Sequence, residues 1–239
     1  QPRTTARRDG GGWVLDGEKT CVPSASRAAR VLVPARSDAG VAVFLVDPNA
    51  AGVALARQIT TSSEPQFLLR LAGVHVQDGD VLAGSDRGAD VVRWMEARAL
   101  VGLAALQLGI AEEALQRCAA YATSRKQFGQ PIGSFQAVAM RAADAFIDVE
   151  AMRSTLCQAI WRIEEGLPAR REIEVAKWWA CRGGHRVAHT VQHLHGGIGA
   201  DVEYPIHRYF LWAKQTEYAL GGATAHLARL GALLAEGAR

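Results

Sequence analysis

Paired cysteines are missing from this chain of 239 residues: Cys21, Cys118, Cys157 and Cys181 stand far apart and form no CxxC. That argues against zinc ribbons, dithiol redox motifs and a disulfide framework, and it fits a reducing cytoplasm, the expected location. Charge of one sign is also scarce. The net charge is +3 and the basic residues are scattered or paired with acids, so there is no electrostatic footprint for nucleic acid. The one basic cluster, Pro2 to Arg8, reads as a solvated, ragged terminus. Long apolar runs are lacking too. The most apolar stretch, Ala99 to Ala111, is interrupted by Gln107 and is too short to cross a bilayer, so no membrane partner is expected. No signal-peptide pattern is recognisable. A hydrophobic content of 49% can nevertheless bury a sizeable core.

Up to about residue 80, Val-rich runs broken by turn residues read as strands: Trp13 to Leu15, Val31 to Val33, Val41 to Val46 and Phe67 to Leu71. From Gly88 onward the period changes. Phe135, Val138, Ala142, Phe146, Val149, Leu156 and Ile160 recur at three- and four-residue steps and draw one apolar face along a long helix. Three further helices fit Asp90 to Ser124, Ala169 to His193 and Trp212 to Ala235. Pro131-Ile132-Gly133 and Leu167-Pro168 supply breaks between helices. The expectation is an α+β chain: a small antiparallel β domain over residues 1–85, then an up-and-down four-helix bundle over residues 86–239.

Two segments carry chemistry. RKQFGQPIGSFQ, Arg125 to Gln136, lies where one long helix ends and the next begins, and a helix start presents free amides to an anion. Arg125 is a permanently charged fork suited to a phosphate, and Phe128 offers a ring for packing. In HLHGGIG, His193 to Gly199, the pair Gly196-Gly197 removes side chains that would keep backbone amides away from a phosphate. His185, His189 and His193 share a helical face at four-residue steps, but no carboxylate or Cys is spaced to complete a metal set, and none is expected.

In that order the two motifs resemble the carboxy-terminal half of the flavin-dependent acyl-CoA dehydrogenases. The resemblance implies FAD as cofactor, with Arg125, Gln127, Phe128, Gln136, His193, Gly196 and Gly197 closing over the nucleotide of a neighbouring subunit. His193 falls where the family often has Gln. Members of the family carry an amino-terminal helical domain ahead of the segment GGWVLDGEKT; this sequence opens shortly before that segment, with Gln1, and is expected to be a fragment of something longer. EKTCVPSA, Glu18 to Ala25, corresponds to the strand against the flavin ring, with Cys21 at a usual Trp position and Pro23 at a usual Thr. Proline has neither hydroxyl nor N–H to offer a flavin. The family's general base is a Glu near the carboxy terminus or, in a minority, on the first bundle helix. Those positions correspond here to Leu220 and Ala99. Glu217 and Glu96 stand one turn away from them, so they are weak catalytic candidates, because a turn of about 5 Å exceeds hydrogen-bond reach. This selective loss resembles the non-catalytic subunit of actinobacterial α2β2 acyl-CoA dehydrogenases, which act on acyl-CoA thioesters beside a homologous catalytic subunit. A self-sufficient homo-oligomer with a displaced Glu, and a structural protein without flavin, are the alternatives.

Overall fold

Asp9 to Gly12, with Gly10 in the left-handed region at φ 58°, turns β1 (Thr5–Asp9) back onto β2 (Gly12–Pro23) as an antiparallel hairpin in which Ala6 faces Leu15. The computed structural model describes residues 2–236. The basic segment expected to be solvated is thus largely a strand. Its arginines point outward while Ala6 is buried, so a single inward residue and the glycine turn suffice to pair it. The remaining strands of this sheet are β3 (Val31–Ser37), β4 (Gly40–Val46), β5 (Val53–Gln58), β6 (Gln66–Gln77) and β7 (Val81–Ala83), in the order β5-β6-β2-β1-β3-β4-β7. All contacts are antiparallel except where Thr5 of β1 meets Arg36 of β3, which makes the sheet mixed rather than purely antiparallel. In β3 the buried residues Val31, Val33 and Ala35 alternate with outward ones, as a pleated strand with one face on a core requires. Leu15, Phe44, Leu69 and Val74 complete that core and are fully buried.

The helices are α1 (Gly88–Ser124), α2 (Gln136–Glu164), α3 (Arg170–His195), α4 (Ile206–Tyr218) and α5 (Ala223–Glu236), with the short strands β8 (Lys126–Gln127) and β9 (Gln130–Pro131) between α1 and α2. The α+β class and the bundle stand as expected, strands first and helices after. One correction concerns the last helix. The apolar period from Trp212 to Ala235 runs through a real break, because Leu220 at φ 58° and Gly221 at φ 115° are left-handed and end α4. A second concerns α1, which by length and composition alone is apolar enough to cross a membrane despite Gln107. Its stripe Ala104, Leu108, Ala111, Ala114 and Cys118 instead lines the bundle core, with Val149, Met152, Val187 and Val191 of α2 and α3. Gly183 and Gly184 let α3 approach its neighbours: a Cβ at Gly183 would meet Met152 Sδ at 2.9 Å, and one at Gly184 would overlap the Gln107 side chain. The chain divides into two compact units after Glu96, inside α1, whereas the change of period alone suggests a boundary at residue 85.

Candidate nucleotide-binding site

The end of α1 is built to hand the chain on to a projecting hairpin. Arg125 N–H donates to Tyr121 O as the helix finishes, and Ile132 N–H donates to Arg125 O at 2.8 Å once β8 and β9 have turned. Between them Phe128 (φ 54°) and Gly129 (φ 82°) form a two-residue turn with both residues at positive φ, the geometry that suits the twist of paired strands. Phe128 is 93% exposed, with only an edge contact to Phe135 at 6.1 Å between ring centroids. Gly133 packs against the backbone of α1, where a Cβ would meet Ala122 O at 3.1 Å. Arg125 makes no side-chain hydrogen bond or ion pair among the described residues and is exposed.

HLHGGIG ends α3 and is joined to the last part of α1 by a ring stack. His195 is buried, its Nδ1–H donates to Val191 O at 2.8 Å, and its ring stacks on Tyr121 at 4.5 Å between centroids. Tyr121 lies one turn before Arg125, so the stack is what brings the two motifs to one end of the bundle. Gly196 leaves the helix at φ 65°, and a Cβ at Gly196 or Gly197 would meet nothing within 4 Å. The Gly196-Gly197 backbone is open, and at the end of α1 Arg125 and Phe128 are exposed; free amides and a guanidinium are donors of the kind that fit a pyrophosphate, and an unpacked ring one that fits an adenosine. His193 is exposed on the same turn of α3, and Gln136 is exposed at the start of α2. Gln127 is less available, since its amide Nε2 donates to Lys126 O at 2.8 Å.

Glu217 is buried and bound: Lys214 Nζ donates to its Oε2 at 2.5 Å, and His185 Nδ1 lies 3.2 Å from both oxygens. Lys214 Nζ is also 2.9 Å from that Nδ1, which can either accept from the lysine or donate to Glu217, one at a time. His185 and His189 are in ring contact at 4.3 Å, and burial followed by the charges of His185 and Lys214 pushes His189 below its usual range. Among the described residues no group of His, Cys, Asp or Glu assembles that could hold a metal. Glu96 is exposed on α1. In the sheet unit, the expected flavin-facing strand is the end of β2, where a bulge puts Cys21 at φ 54° with its N–H donating to Gln58 Oε1 at 2.8 Å.

Sequence reasoning missed a buried polar clamp on the α4–α5 turn. Lys177, fully buried on α3, donates to Thr216 O at 2.9 Å and Glu217 O at 3.4 Å, and Cys181 Sγ lies 3.1 Å from Glu217 O. Burial lowers the Lys177 ammonium and raises the Cys181 thiol from their ordinary values. His226, also fully buried, points Nδ1 at Glu174 Oε2 (2.6 Å) and Nε2 at Gly221 O (3.1 Å). The available signal was a lysine inside the apolar stripe Ile173, Ala176, Ala180.

The chain matches the model of the acyl-CoA dehydrogenase C-terminal domain over residues 86–233 and that of the middle domain over residues 1–66. It is 46% identical over 235 residues to acyl-CoA dehydrogenase FadE27 of Mycobacterium tuberculosis, an alignment covering 95% of this chain and 62% of that protein. It therefore spans less than two thirds of the length of that curated relative. In the crystal structure of the ChsE4-ChsE5 complex from M. tuberculosis, one chain superposes with a TM-score of 0.93 at 45% identity, covering 99% of this chain and 64% of that one. A variant of the Tcur3481-Tcur3483 steroid ACAD superposes at 0.91 and 47% identity, covering 99% and 63%.

Proposed function

The chain belongs to the acyl-CoA dehydrogenase family, and we propose that it serves as the non-catalytic subunit of an FAD-dependent enzyme that α,β-dehydrogenates a CoA thioester. Its part is to complete the FAD nucleotide site of a neighbouring, homologous catalytic subunit. One observation carries this reading: Arg125, Phe128 and the Gly196-Gly197 backbone are exposed and unused by the chain itself, and the expected correspondence of Leu220 and Ala99 to the family's base positions supports it. Two of the structural relatives are named as pairs of chains, which is the assembly this reading requires. The steroid in one of those names marks the acyl class to test first.

FAD, when bound, supplies the hydride acceptor for the reaction. The residues of this chain bind and shape. Arg125 offers paired N–H donors to a phosphate, and Gly196 and Gly197 admit it to backbone amides. Phe128 presents a ring face already held away from the bundle, at the cost of a strained backbone. Glu217, with its oxygens engaged by Lys214 and His185, is part of the packing of α4 on α3 rather than a proton acceptor.

The test is co-expression with homologous dehydrogenases and a count of FAD per chain. Flavin should be retained by the pair and poorly by this chain alone. A yellow, active homo-oligomer would promote the self-sufficient reading. In the active assembly, Glu96→Gln and Glu217→Gln should each leave turnover within a few-fold, whereas loss of a general base costs roughly a hundredfold or more.

A further inference from the structure

We infer that Lys177 and Cys181 form a covalent modification site, at which hydrogen peroxide joins the lysine Nζ to the cysteine Sγ as a sulfenamide and so loosens the turn between α4 and α5. The inference is independent of the proposed function. The two residues stand four apart on α3, one above the other on one face, and both are buried. Lys177 Nζ lies 3.4 Å from Cys181 Sγ, and its other donors go to Thr216 O at 2.9 Å and Glu217 O at 3.4 Å. Sγ is itself 3.1 Å from Glu217 O and 3.8 Å from Gly221 O, so the same turn holds nitrogen and sulfur together. Small oxidants have a short way in. Over the sulfur runs Leu220-Gly221-Gly222, in which Leu220 is exposed and the two glycines are half-buried and carry no side chain.

A cysteine oxidised to the sulfenic acid condenses with a nearby nitrogen, and here the nitrogen is already in contact. The thiol sulfur attacks one peroxide oxygen: an S–O bond forms, the O–O bond breaks, and the departing hydroxide takes the thiol proton as water. Neutral Nζ then attacks that sulfur, an S–N bond forms, the S–O bond breaks, and hydroxide leaves with a proton from nitrogen as a second water. Thiol and amine together lose two hydrogens and two electrons, and one peroxide becomes two waters. Burial assists the second step, because it lowers the Lys177 ammonium from its ordinary range and so supplies free amine. It slows the first by raising the thiol, and the charge and hydrogen bond of Lys177 act against that rise. Cys118 is the internal contrast, equally buried and pushed up to about 11 by burial, with no amine acting on it among the described residues. The bridge also withdraws donors. Three N–H of an ammonium and one S–H become a single N–H, so either Thr216 O or Glu217 O is left without a donor from α3, and the end of α4 loosens.

The experiment is peptide mapping of the full wild-type chain before and after exposure to hydrogen peroxide under native conditions. Trypsin cuts the untreated chain after Arg171, Lys177 and Arg182. After peroxide, residues 172–182 should appear as one uncut peptide lighter by two hydrogens, dithiothreitol should restore both the mass and the cut, and Cys118 should remain a thiol. Amide exchange over residues 218–222 should be about tenfold or more faster in the bridged chain than in the reduced one. Cys181→Ser, which keeps a donor near Glu217 O, should show neither the bridge nor the faster exchange on treatment. The inference is overturned if the cut after Lys177 survives, if Cys181 gains oxygen without a link to Lys177, or if an uncut peptide has any other mass. It is equally overturned if Cys118 is oxidised as fast, which would mean that peroxide had opened the fold, or if the bridged chain exchanges no faster at the turn. Each of these outcomes leaves the flavin reading untouched.

Discussion

Phe128 and Leu220 are both non-glycine residues in the left-handed region, at φ 54° and 58°, and each is followed by a glycine at positive φ; their surroundings differ completely. Around Leu220 the fold holds the strain with its own groups: Lys177 and Cys181 bind the carbonyls that end α4, and His226 binds Gly221 O. Around Phe128 there is only a four-residue hairpin and one edge contact. Left-handed backbone costs a non-glycine residue roughly 1–2 kcal/mol, and such strain persists where something over-determines it or uses it. The Leu220 turn is explained from within. The Phe128 turn closes a short hairpin, and its ring is left unpacked, which is what the proposed binding role would use.

The largest effect should come from unfastening the inner turn. His226→Leu removes the hydrogen-bond partner that the ring gives Glu174 and Gly221 O at a fully buried site. Removing one partner of a buried pair costs roughly 3–5 kcal/mol, which denaturant unfolding would register as a large fall in midpoint. A loss of under about 1 kcal/mol would mean that the clamp does not hold the turn, and the comparison would fail on that side.

How legible these regions were in the sequence tracks the range of the interactions behind them. The ends of α1 and α3 fell within two residues of expectation because helix period, a terminal glycine and flanking prolines are local signals. The hairpin between α1 and α2 was legible as a motif for the same reason. The clamp was not. Its bonds join residues 39 and 52 positions apart, and an apolar period cannot report that Lys177 will find the end of α4. The α4–α5 break did carry a local signal in Gly221-Gly222, but the apolar period on both sides of it outweighed that pair. β1 was missed because its outward arginines outweigh the single buried Ala6.

On the outer turn the expected effects are smaller and fall on flavin instead of stability. Arg125→Ala should weaken FAD retention in the assembly by about 1.5–3 kcal/mol, the worth of a hydrogen bond to a charged group, and leave the melting temperature of the chain alone unmoved. Flavin held as tightly as in wild type would remove Arg125 from the site. Phe128→Asn sharpens the contrast because its two readouts should have opposite signs. Asparagine tolerates left-handed backbone, so the isolated chain should gain on the order of 1 kcal/mol, while the assembly loses the ring and holds FAD less well. Were both readouts to fall, Phe128 would be packed after all and the turn would be structural like its counterpart.

The smallest effect concerns the floor of the open end, where His195 joins the two motifs. Its Nδ1–H is committed to Val191 O, and Nε2 is buried without a partner, so the ring is held neutral, and burial lowers its pKa below the ordinary 6.5. Because the folded value is the depressed one, the unfolded chain takes up a proton first on acidification. Stability from this group is therefore complete above pH 6.5 and declines as pH falls from there toward the folded value, where unfolding binds protons. His195→Phe keeps a ring on Tyr121 and abolishes the titration, so the fall in stability as pH drops below 6.5 should be shallower than in wild type. Unfolding free energies at matched ionic strength would decide it. Equal slopes for His195→Phe and wild type would mean that the ring is already charged or solvated in the fold, and the stack would no longer explain why two distant motifs share one end of the bundle.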